Sequence, residues 1–526
     1  MKTLNKIALY AGLGISFLIQ PGCNLDTEPY DFAAPETFYS NETECTMALA
    51  GVYYTLAEES TYGNFYSCML SNIDDLSFYA RAAGTQTTQV FVNDHNTSNK
   101  NIYDAWSSFY KGINNANMLL EQVDNAAMDD KVKTRIKGEA KFLRAYYHFL
   151  LVQGWYEVPV RTESLKDINL SSMPATSHAE ALDWIIQEME DCIDMVDNET
   201  YDKSPGHVKK TVVEGILARV CLWRAGNPSN GGKPYYEKAA HWANEVKKAG
   251  KHQLNPDIYA IWKNMACDKY DKAFNESMWE AEFVGTRDDG NYTAGRIGNV
   301  IGNIQANGVN TGKGYSYGFY SGSLILWDLF EEKDSRRDLS MAPYQLNNKD
   351  EVKDWSQKQI VERRCGKFRR EWESSSPKHK NYTQENFPIL RYADVLLMLA
   401  EAENEVNGAP TDLAYQCVNE IRTRAGASEV KGLDYEKFKK LIQDERAREL
   451  CFEGLRKYDL VRWGIYVEAI HDKLGAATRD ARWSKASYFS GAAGYANRTE
   501  NKHQFLPIPS LELSVNLELE QNKYWK

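Results

Sequence analysis

The amino-acid sequence predicts an all-α, or mainly α, protein of packed helical hairpins with one long irregular region. In two early segments, mainly apolar side chains recur with helical spacing: Trp106, Tyr110, Ile113, Asn117 and Leu120, then Ile136, Ala140, Leu143, Tyr147 and Leu150. Each set lines one stripe of a helix. Glycines at Gly408 and Gly426 end two further helices. These hairpins have roughly tetratricopeptide length, but the tetratricopeptide signature is absent, so a plain helical bundle is the alternative.

The predicted elements follow in order along the chain. The N-terminal half has helices over 36–58, 104–124, 131–154, 178–197, 208–226 and 235–250. The C-terminal half repeats the pattern in a helix that we begin at Phe387, in a second around Ile421 and in a third over about 435–457. Between 251 and 387 the periodicity fades, and a smaller excursion covers Asp74 to Asn101. Long irregular segments inside compact proteins are usually functional.

The N-terminus has the layout of a signal peptide over residues 1–22. Lys2 and Lys6 precede an uncharged, mostly apolar stretch from Ile7 to Ile19. This stretch is shorter than the roughly 20 residues that span a bilayer. Gly22-Cys23 looks like a lipoprotein signal peptidase site, which predicts a lipidated Cys23 and a tether over 23–35. An ordinary secretory peptide with an incidental cysteine is the alternative.

The remainder, residues 36–526, is predicted as a single body, since no linker composition interrupts it. Its parts are an N-terminal helical part (36–250), an irregular insertion (251–387) and a C-terminal helical part (388–526). The formal net charge of −11 disfavours nucleic acid as a partner. The nine cysteines show no CxxC pair, and three of them lie in apolar helical patterns that predict buried free thiols: Cys221, Cys417 and Cys451.

Catalytic and metal-binding motifs are not found, so we expect no enzyme, no metal and no cofactor. The sequence has no HExxH, GxSxG, P-loop or dinucleotide fingerprint. Asp74 and Asp75 are adjacent and therefore do not flank one glycosidic bond. The charged helix from Asp444 to Arg456 fits ion pairs at i,i+3 and i,i+4, namely Asp444 or Glu445 with Arg448 and Glu453 with Arg456. We assign that helix to packing.

Three segments resemble the SusD/RagB family of outer-membrane nutrient-binding lipoproteins of Bacteroidetes. They are Phe387 to Ala402 (FPILRYADVLLMLAEA), Val418 to Gly426 (VNEIRTRAG) and Asp444 to Gly464 (DERARELCFEGLRKYDLVRWG). The ending Leu506-Pro507-Ile508-Pro509 is similar as well, although the family's Pro-Gly before the final Tyr is absent. The likeness covers nearly the whole mature chain.

The resemblance implies a lipid-anchored protein at the cell surface that captures an oligosaccharide or polysaccharide. It also implies a partner, a SusC-like TonB-dependent transporter, on which such proteins act as a lid. A peptide-capturing lid of the RagB type is the alternative, and a surface glycosidase is a weaker one. A scaffold that binds only protein is a third alternative, but it would not account for the aromatic residues of the two irregular excursions.

Candidate ligand-binding residues lie in the two irregular excursions, because sugars bind aromatic faces with polar groups at the edges. The first excursion and the helix after it contribute Asp75, Tyr79, Arg81 and Trp106. The second contributes Tyr292, Arg296, Tyr315, Tyr317, Tyr320 and Trp327. Trp106 also fits the apolar stripe of its helix, and Asp288-Asp289 is a weak candidate for calcium.

Overall fold

The computed structural model describes residues 38–81, 86–165, 172–198, 204–285, 293, 295–306 and 314–526. The predicted signal peptide, Cys23, the tether, Tyr292 and Asp288-Asp289 lie outside these residues. Within them the chain is mainly helical with a few short strands, so the predicted fold class is confirmed. None of the described helices is both long and apolar enough to cross a membrane.

Six long helices form the N-terminal half, and each packs against the next. They are α1 (Glu42–Ala57), α2 (Lys100–Gln122), α3 (Asp130–Trp155), α4 (His178–Cys192), α5 (Lys210–Ala225) and α6 (Lys233–Ala249). Polar side chains cap the first four N-termini by accepting backbone N–H groups: Asn41, Asn99, Asp129 and Ser177. The six predicted helices are all present, and their ends differ from these bounds by up to six residues, the largest difference being the start of α1 at Glu42 rather than at residue 36.

Five further helices follow, and one of them joins the two halves of the chain. They are α7 (Ile258–Ala266), α8 (Tyr392–Asn407), α9 (Asp412–Arg424), α10 (Tyr435–Leu450) and α11 (Arg456–Arg462). Helix α8 packs against α6 as well as against α9 and α10. Gly408 ends α8 at φ 65°, a left-handed conformation that glycine adopts without a steric penalty.

The described residues include six short strands in three antiparallel pairs: β1 (Ser77–Tyr79) with β3 (Tyr320–Gly322), β2 (Ser277–Ala281) with β6 (Phe387–Arg391), and β4 (Tyr344–Leu346) with β5 (Val352–Asp354). Short helical turns between the long elements include Phe65–Leu70, Gln86–Gln89, Ile297–Val300, Leu324–Leu329, Arg336–Ser340, Glu468–Leu474, Gly491–Arg498 and Ser510–Val515.

One predicted helix begins later than the sequence indicates. The segment from Phe387 was predicted as helix, but its first five residues form β6 and α8 begins at Tyr392. Pro388 explains the difference, because proline disfavours the helical conformation of the residue before it. The β2–β6 pair therefore separates the irregular region from the C-terminal helices.

The eight cysteines within the described residues are free thiols. Cys221, Cys417 and Cys451 are fully buried, which confirms the prediction made from their helical patterns. Burial raises the pKa of Cys221 and Cys451 above that of an ordinary thiol, so these side chains act as apolar core residues.

A buried ion network packs the C-terminal helices against β2 and β6. Arg391 donates to both carboxylate oxygens of Glu453 at 2.8 Å, to Glu276 at 3.0 Å and to Glu449 at 3.1 Å. Arg424 pairs with two of these three acids, Glu276 at 3.1 Å and Glu449 at 2.8 Å. Burial opposes ionisation of Glu449, yet the surrounding arginines hold its pKa well below its ordinary value.

The structure corrects two of the three helical ion pairs expected from sequence. Glu445 does pair with Arg448, at 2.6 Å. Asp444 instead pairs with Lys440. Glu453 lies against Arg391, and Arg456 reaches Asp75, whose two carboxylate oxygens accept at 2.8 and 2.9 Å. The expected single helix is wrong, because α10 ends at Leu450 and α11 begins at Arg456, with Phe452 and Gly454 at positive φ between them. The charges of this segment have packing roles, and most of them make contacts between elements rather than along one helix.

Arg391→Met should lower the free energy of unfolding by about 3 to 5 kcal/mol, because three buried carboxylates would lose a shared cation. Urea unfolding followed by circular dichroism measures this change. Arg482→Met is the matched control, since Arg482 pairs with Asp328 and Asp480 at the surface and should matter by less than about 1 kcal/mol. Equal effects of the two substitutions would contradict the importance of the buried network.

Candidate ligand site: an aromatic row gripped by arginines

The β1–β3 pair brings the two irregular excursions together, with Tyr79 opposite Tyr320. The side chains of the segment leading into β3 alternate between two environments. Tyr315, Tyr317 and Phe319 are half-buried, whereas the residues between them are buried. Gly318 adopts a left-handed conformation at φ 56°, and the rings on either side of it remain in contact, so these three rings form one row at the surface. We call them the aromatic row.

The rings of the aromatic row contact one another and two cations. The centroids of Tyr315 and Tyr317 are 4.8 Å apart in an edge contact, and those of Tyr317 and Phe319 are 5.0 Å apart and stacked. The guanidinium of Arg81 lies 5.0 Å from the Phe319 centroid and 5.6 Å from that of Tyr317. The ammonium of Lys380, an exposed residue, lies 5.6 Å from the Tyr315 centroid. The row is thus flanked by a cation at each end.

Three arginines hold the backbone of the row through its carbonyl groups. Arg81 donates to the Tyr317 carbonyl at 2.8 Å. Arg364 donates to the Gly318 carbonyl at 2.8 Å, and Arg370 donates to the Tyr315 carbonyl at 2.8 Å. Burial first, and Arg81 second, lower the pKa of Arg364 to about 9. These donors add to the backbone bonds that Ser316, Tyr317 and Phe319 make with neighbouring segments, so both sides of the main chain are held.

Arg370 also fixes a second loop beside the row. This arginine is buried, pairs with Glu373 at 2.7 Å, and donates to four backbone carbonyls: Tyr315 at 2.8 Å, His379 at 2.7 Å, Lys380 at 3.0 Å and Tyr382 at 2.9 Å. Asn299 adds two bonds of 3.1 Å, to the carbonyls of Tyr315 and Lys380. Arg370 and Asn299 therefore hold the loop that carries Lys380 against the backbone of the row.

Four of the residues predicted to bind ligand lie in the interior instead. Tyr79, Trp106 and Tyr320 are 4%, 1% and 2% exposed. The ring of Tyr79 stacks on Phe91 with centroids 4.5 Å apart, so the expectation that it projects from a loop is wrong. Asp75 is 2% exposed and is bound by Arg456. Of the four, Tyr79 contacts the row, with its ring centroid 5.4 Å from that of Phe319.

The remaining candidates take different positions. Arg81, Tyr315 and Tyr317 come together in and beside the aromatic row. Arg296 lies beneath it, where it bonds the Asn299 amide oxygen at 3.2 Å and Glu59 at 3.3 Å. Trp327 is half-buried, and its ring has the guanidiniums of Arg363 and Arg337 at 4.7 and 5.0 Å.

The sequence-based selection missed Phe319, Lys380, Arg364, Arg370 and Asn299. A signal for Phe319 was available, since Tyr-Ser-Tyr-Gly-Phe over 315–319 alternates large and small side chains with the period of an extended chain. No comparable signal marks Lys380 or Arg370, because their roles depend on a loop folding back onto the row. Within the described ranges, no cluster of three or more His, Cys, Asp or Glu side chains could hold a metal ion.

Comparisons with known proteins agree with this fold. Residues 357–525 match the model of the SusD family, and residues 25–222 match a model described as starch-binding associating with outer membrane. A SusD-like protein of Formosa agariphila is 26% identical over 94% of this chain and 93% of its own length. A solved SusD homolog from Bacteroides thetaiotaomicron is 26% identical, with a TM-score of 0.83 over 93% of this chain and 98% of that chain.

The fold recurs at lower identity. Surface glycan-binding protein A from Bacteroides uniformis is 22% identical, with a TM-score of 0.70 over 92% of this chain and 100% of that chain, a likeness that shows the fold alone. The protein thus has the SusD-like fold: helical hairpins, with two irregular excursions that the β1–β3 pair brings together. This chain belongs to the SusD/RagB family, which confirms the resemblance seen in its sequence.

Arg370→Lys should loosen the row while leaving the fold intact, because one ammonium cannot reach four carbonyls and Glu373 together. Hydrogen exchange measured by mass spectrometry should be about tenfold faster in segments 315–319 and 379–383. The exposed Arg482→Lys substitution is the control and should leave these segments unchanged. Unaltered exchange in the Arg370 variant would show that the row does not depend on this side chain.

Proposed function

We propose that the protein captures a glycan at the cell surface through the aromatic row and delivers it to a partner SusC-like transporter of the outer membrane. The observation that carries this proposal is the row itself. Three half-buried rings share one face, and polar and cationic groups stand at its edges. Sugars present apolar C–H faces to aromatic rings and hydroxyl groups to polar neighbours.

Family membership supports the same proposal. One matching model is described as starch-binding, and a structural neighbour is called a surface glycan-binding protein. Tyr315, Tyr317 and Arg81 are then the contact residues, and Phe319 and Lys380 join them. Tyr79 and Tyr320 contribute packing behind the row, Trp106 packs on Tyr110 and Trp155 in the helical core, and Tyr292 remains a candidate from the sequence.

Binding without turnover is the mode that the surroundings of the row favour. Glycoside hydrolysis requires two carboxyl groups placed across the scissile bond, about 5 to 9.5 Å apart. Of the acids around Arg370 beneath the row, Glu373 is paired with that arginine and Glu385 is buried at 1% exposure, where it does not reach a ligand on the surface. We therefore propose a capture protein and no catalytic residue.

The N-terminal residues supply the means of attachment in this proposal. Cys23 carries the lipid after removal of residues 1–22, and residues 23–35 connect this anchor to the body. Acyl chains hold a protein to a membrane through about 0.8 kcal/mol per buried methylene. The outer membrane fits the description of the matching model.

Tyr317→Ala should raise the Kd for a bound glycan about tenfold, because the central ring of the row contacts both neighbours. A glycan and peptide array probed with the mature protein identifies the ligand, and calorimetry on a positive member gives the Kd. Tyr103→Ala, a half-buried tyrosine on α2, is the control and should retain wild-type affinity.

Three results would oppose this assignment. Binding of peptides alone would assign the protein to the peptide-capturing type. Release of shortened glycan during long incubation would indicate an enzyme. Equal affinities of the wild type and the Tyr317 variant would place the ligand away from the row.

Cys23→Ser should release the protein from the outer membrane, since the acyl chains would have no attachment point. Membrane fractionation and labelling with radioactive palmitate detect the change. In the wild type, gentle detergent extraction should recover a β-barrel transporter together with the protein. A Cys23 variant that stays in the membrane and takes up label would rule out this anchor.

A further inference from the structure

We infer that the aromatic row selects an anionic glycan, one whose sugars carry carboxylate or sulfate groups, over a neutral one. This inference rests on the proposed capture function and adds the class of ligand. The observations behind it are the cations around the row, their lack of acidic partners and the charge of the rest of the protein.

Arg81 stands over the row with most of its donors unused. A guanidinium has five N–H donors, and that of Arg81 makes one hydrogen bond within the described structure, to the Tyr317 carbonyl. None of the ion pairs among the described residues involves Arg81, although arginine is normally a preferred partner of carboxylates. Its planar donors suit the paired oxygens of a carboxylate or a sulfate.

Lys380 repeats this arrangement at the other end of the row. Its ammonium lies over the Tyr315 ring, is exposed, and has no carboxylate partner in the part of the chain that the structure describes. The backbone beneath it is fixed by Arg370 and Asn299, so this charge stays beside the row. The two cations are separated by the length of the row, and one oligosaccharide can place an anionic group at each end.

Arg364 adds a third positive charge behind the row. This side chain is 8% exposed, and its donors go to neutral oxygens, including the Gly318 carbonyl at 2.8 Å and the Glu362 carbonyl at 2.7 Å. No carboxylate neutralises it within the described residues. Because Arg364 is buried, it contributes to the local field and not to direct contact.

This local excess of positive charge contrasts with the whole protein, whose formal net charge is −11. A protein of that net charge repels polyanions as a whole, so binding of an anionic chain requires a local group of cations such as the one at the row. A neutral glycan that covered Arg81 and Lys380 would remove water from two cations and provide no counter-charge. An anionic glycan would satisfy both.

Matched pairs of glycans test the inference. The mature protein is probed with polygalacturonate and its carboxyl-reduced form, with dextran sulfate and dextran, and with an array of neutral, uronic-acid and sulfated glycans. The members that bind should carry carboxylate or sulfate. Reducing the carboxyls or removing the sulfates of one bound glycan should raise its Kd at least about tenfold. The treatment that abolishes binding identifies which anion is recognised.

Single substitutions place the effect at the row. Arg81→Gln and Lys380→Gln should each weaken binding of the anionic glycan, by about tenfold for Arg81, and should reduce the loss of affinity on adding salt. Lys431→Gln removes an exposed lysine from the turn between α9 and α10 and should change neither. Lys380 is exposed, so its substitution tests the inference even if the Arg81 variant folds poorly.

The outcomes separate this inference from the proposed function. Neutral and anionic forms bound equally, with binding still lost in Tyr317→Ala, would overturn the selection of anions and leave glycan capture standing. Binding of the anionic form that is indifferent to both the Arg81 and the Lys380 substitutions would also overturn it. Absence of binding to every glycan would reject the capture function and the inference together.

Discussion

The pairing of buried arginines with buried glutamates constrains the whole C-terminal half. A charge taken out of water is tolerated only when it is matched and hydrogen-bonded, so Arg391 fixes how β6, α10 and the residue before β2 can lie. Glu276 precedes β2, whereas Glu449 and Glu453 lie at the end of α10 and just after it, and Arg391 contacts all three. Since α8 follows β6 directly and packs on α6, the position of this network also sets how the two helical halves meet.

Arginine side chains also stabilise the surface segment that carries the aromatic row. The backbone N–H groups of Ser316, Tyr317 and Phe319 bond to other backbone segments, whereas three carbonyl groups of the segment before β3 take side-chain donors. Arg81, Arg364 and Arg370 supply them to three carbonyls within four residues. Guanidiniums thus bind acids in the core and neutral backbone beneath the row. Those that bind only neutral oxygens, Arg81 and Arg364, keep an uncompensated charge next to the aromatic rings.

How much the sequence predicted depended on the range of the interactions. Helices such as α2 and α3 follow from local apolar periodicity and were located closely, whereas the strand at Phe387 was missed because its partner lies in β2. The contact of Arg456 with Asp75 joins residues 381 positions apart, which no helical spacing can indicate. In the site, Tyr315 and Tyr317 were identified from composition. The β1–β3 pairing decides that Tyr79 is buried and Arg81 is closer to the surface. The pattern of residues along the chain does not indicate this pairing.

The hydrogen bonds from arginines to backbone carbonyls leave the side chains of the aromatic row open to substitution. A carbonyl is present whatever the side chain, so the positions of residues 315, 317 and 319 can exchange one side chain for another while the main chain beneath them keeps its shape. A ligand then meets a surface that is already ordered, and little conformational entropy is lost on association. The scaffold can therefore be retained while new specificities arise by substitution at three alternating positions.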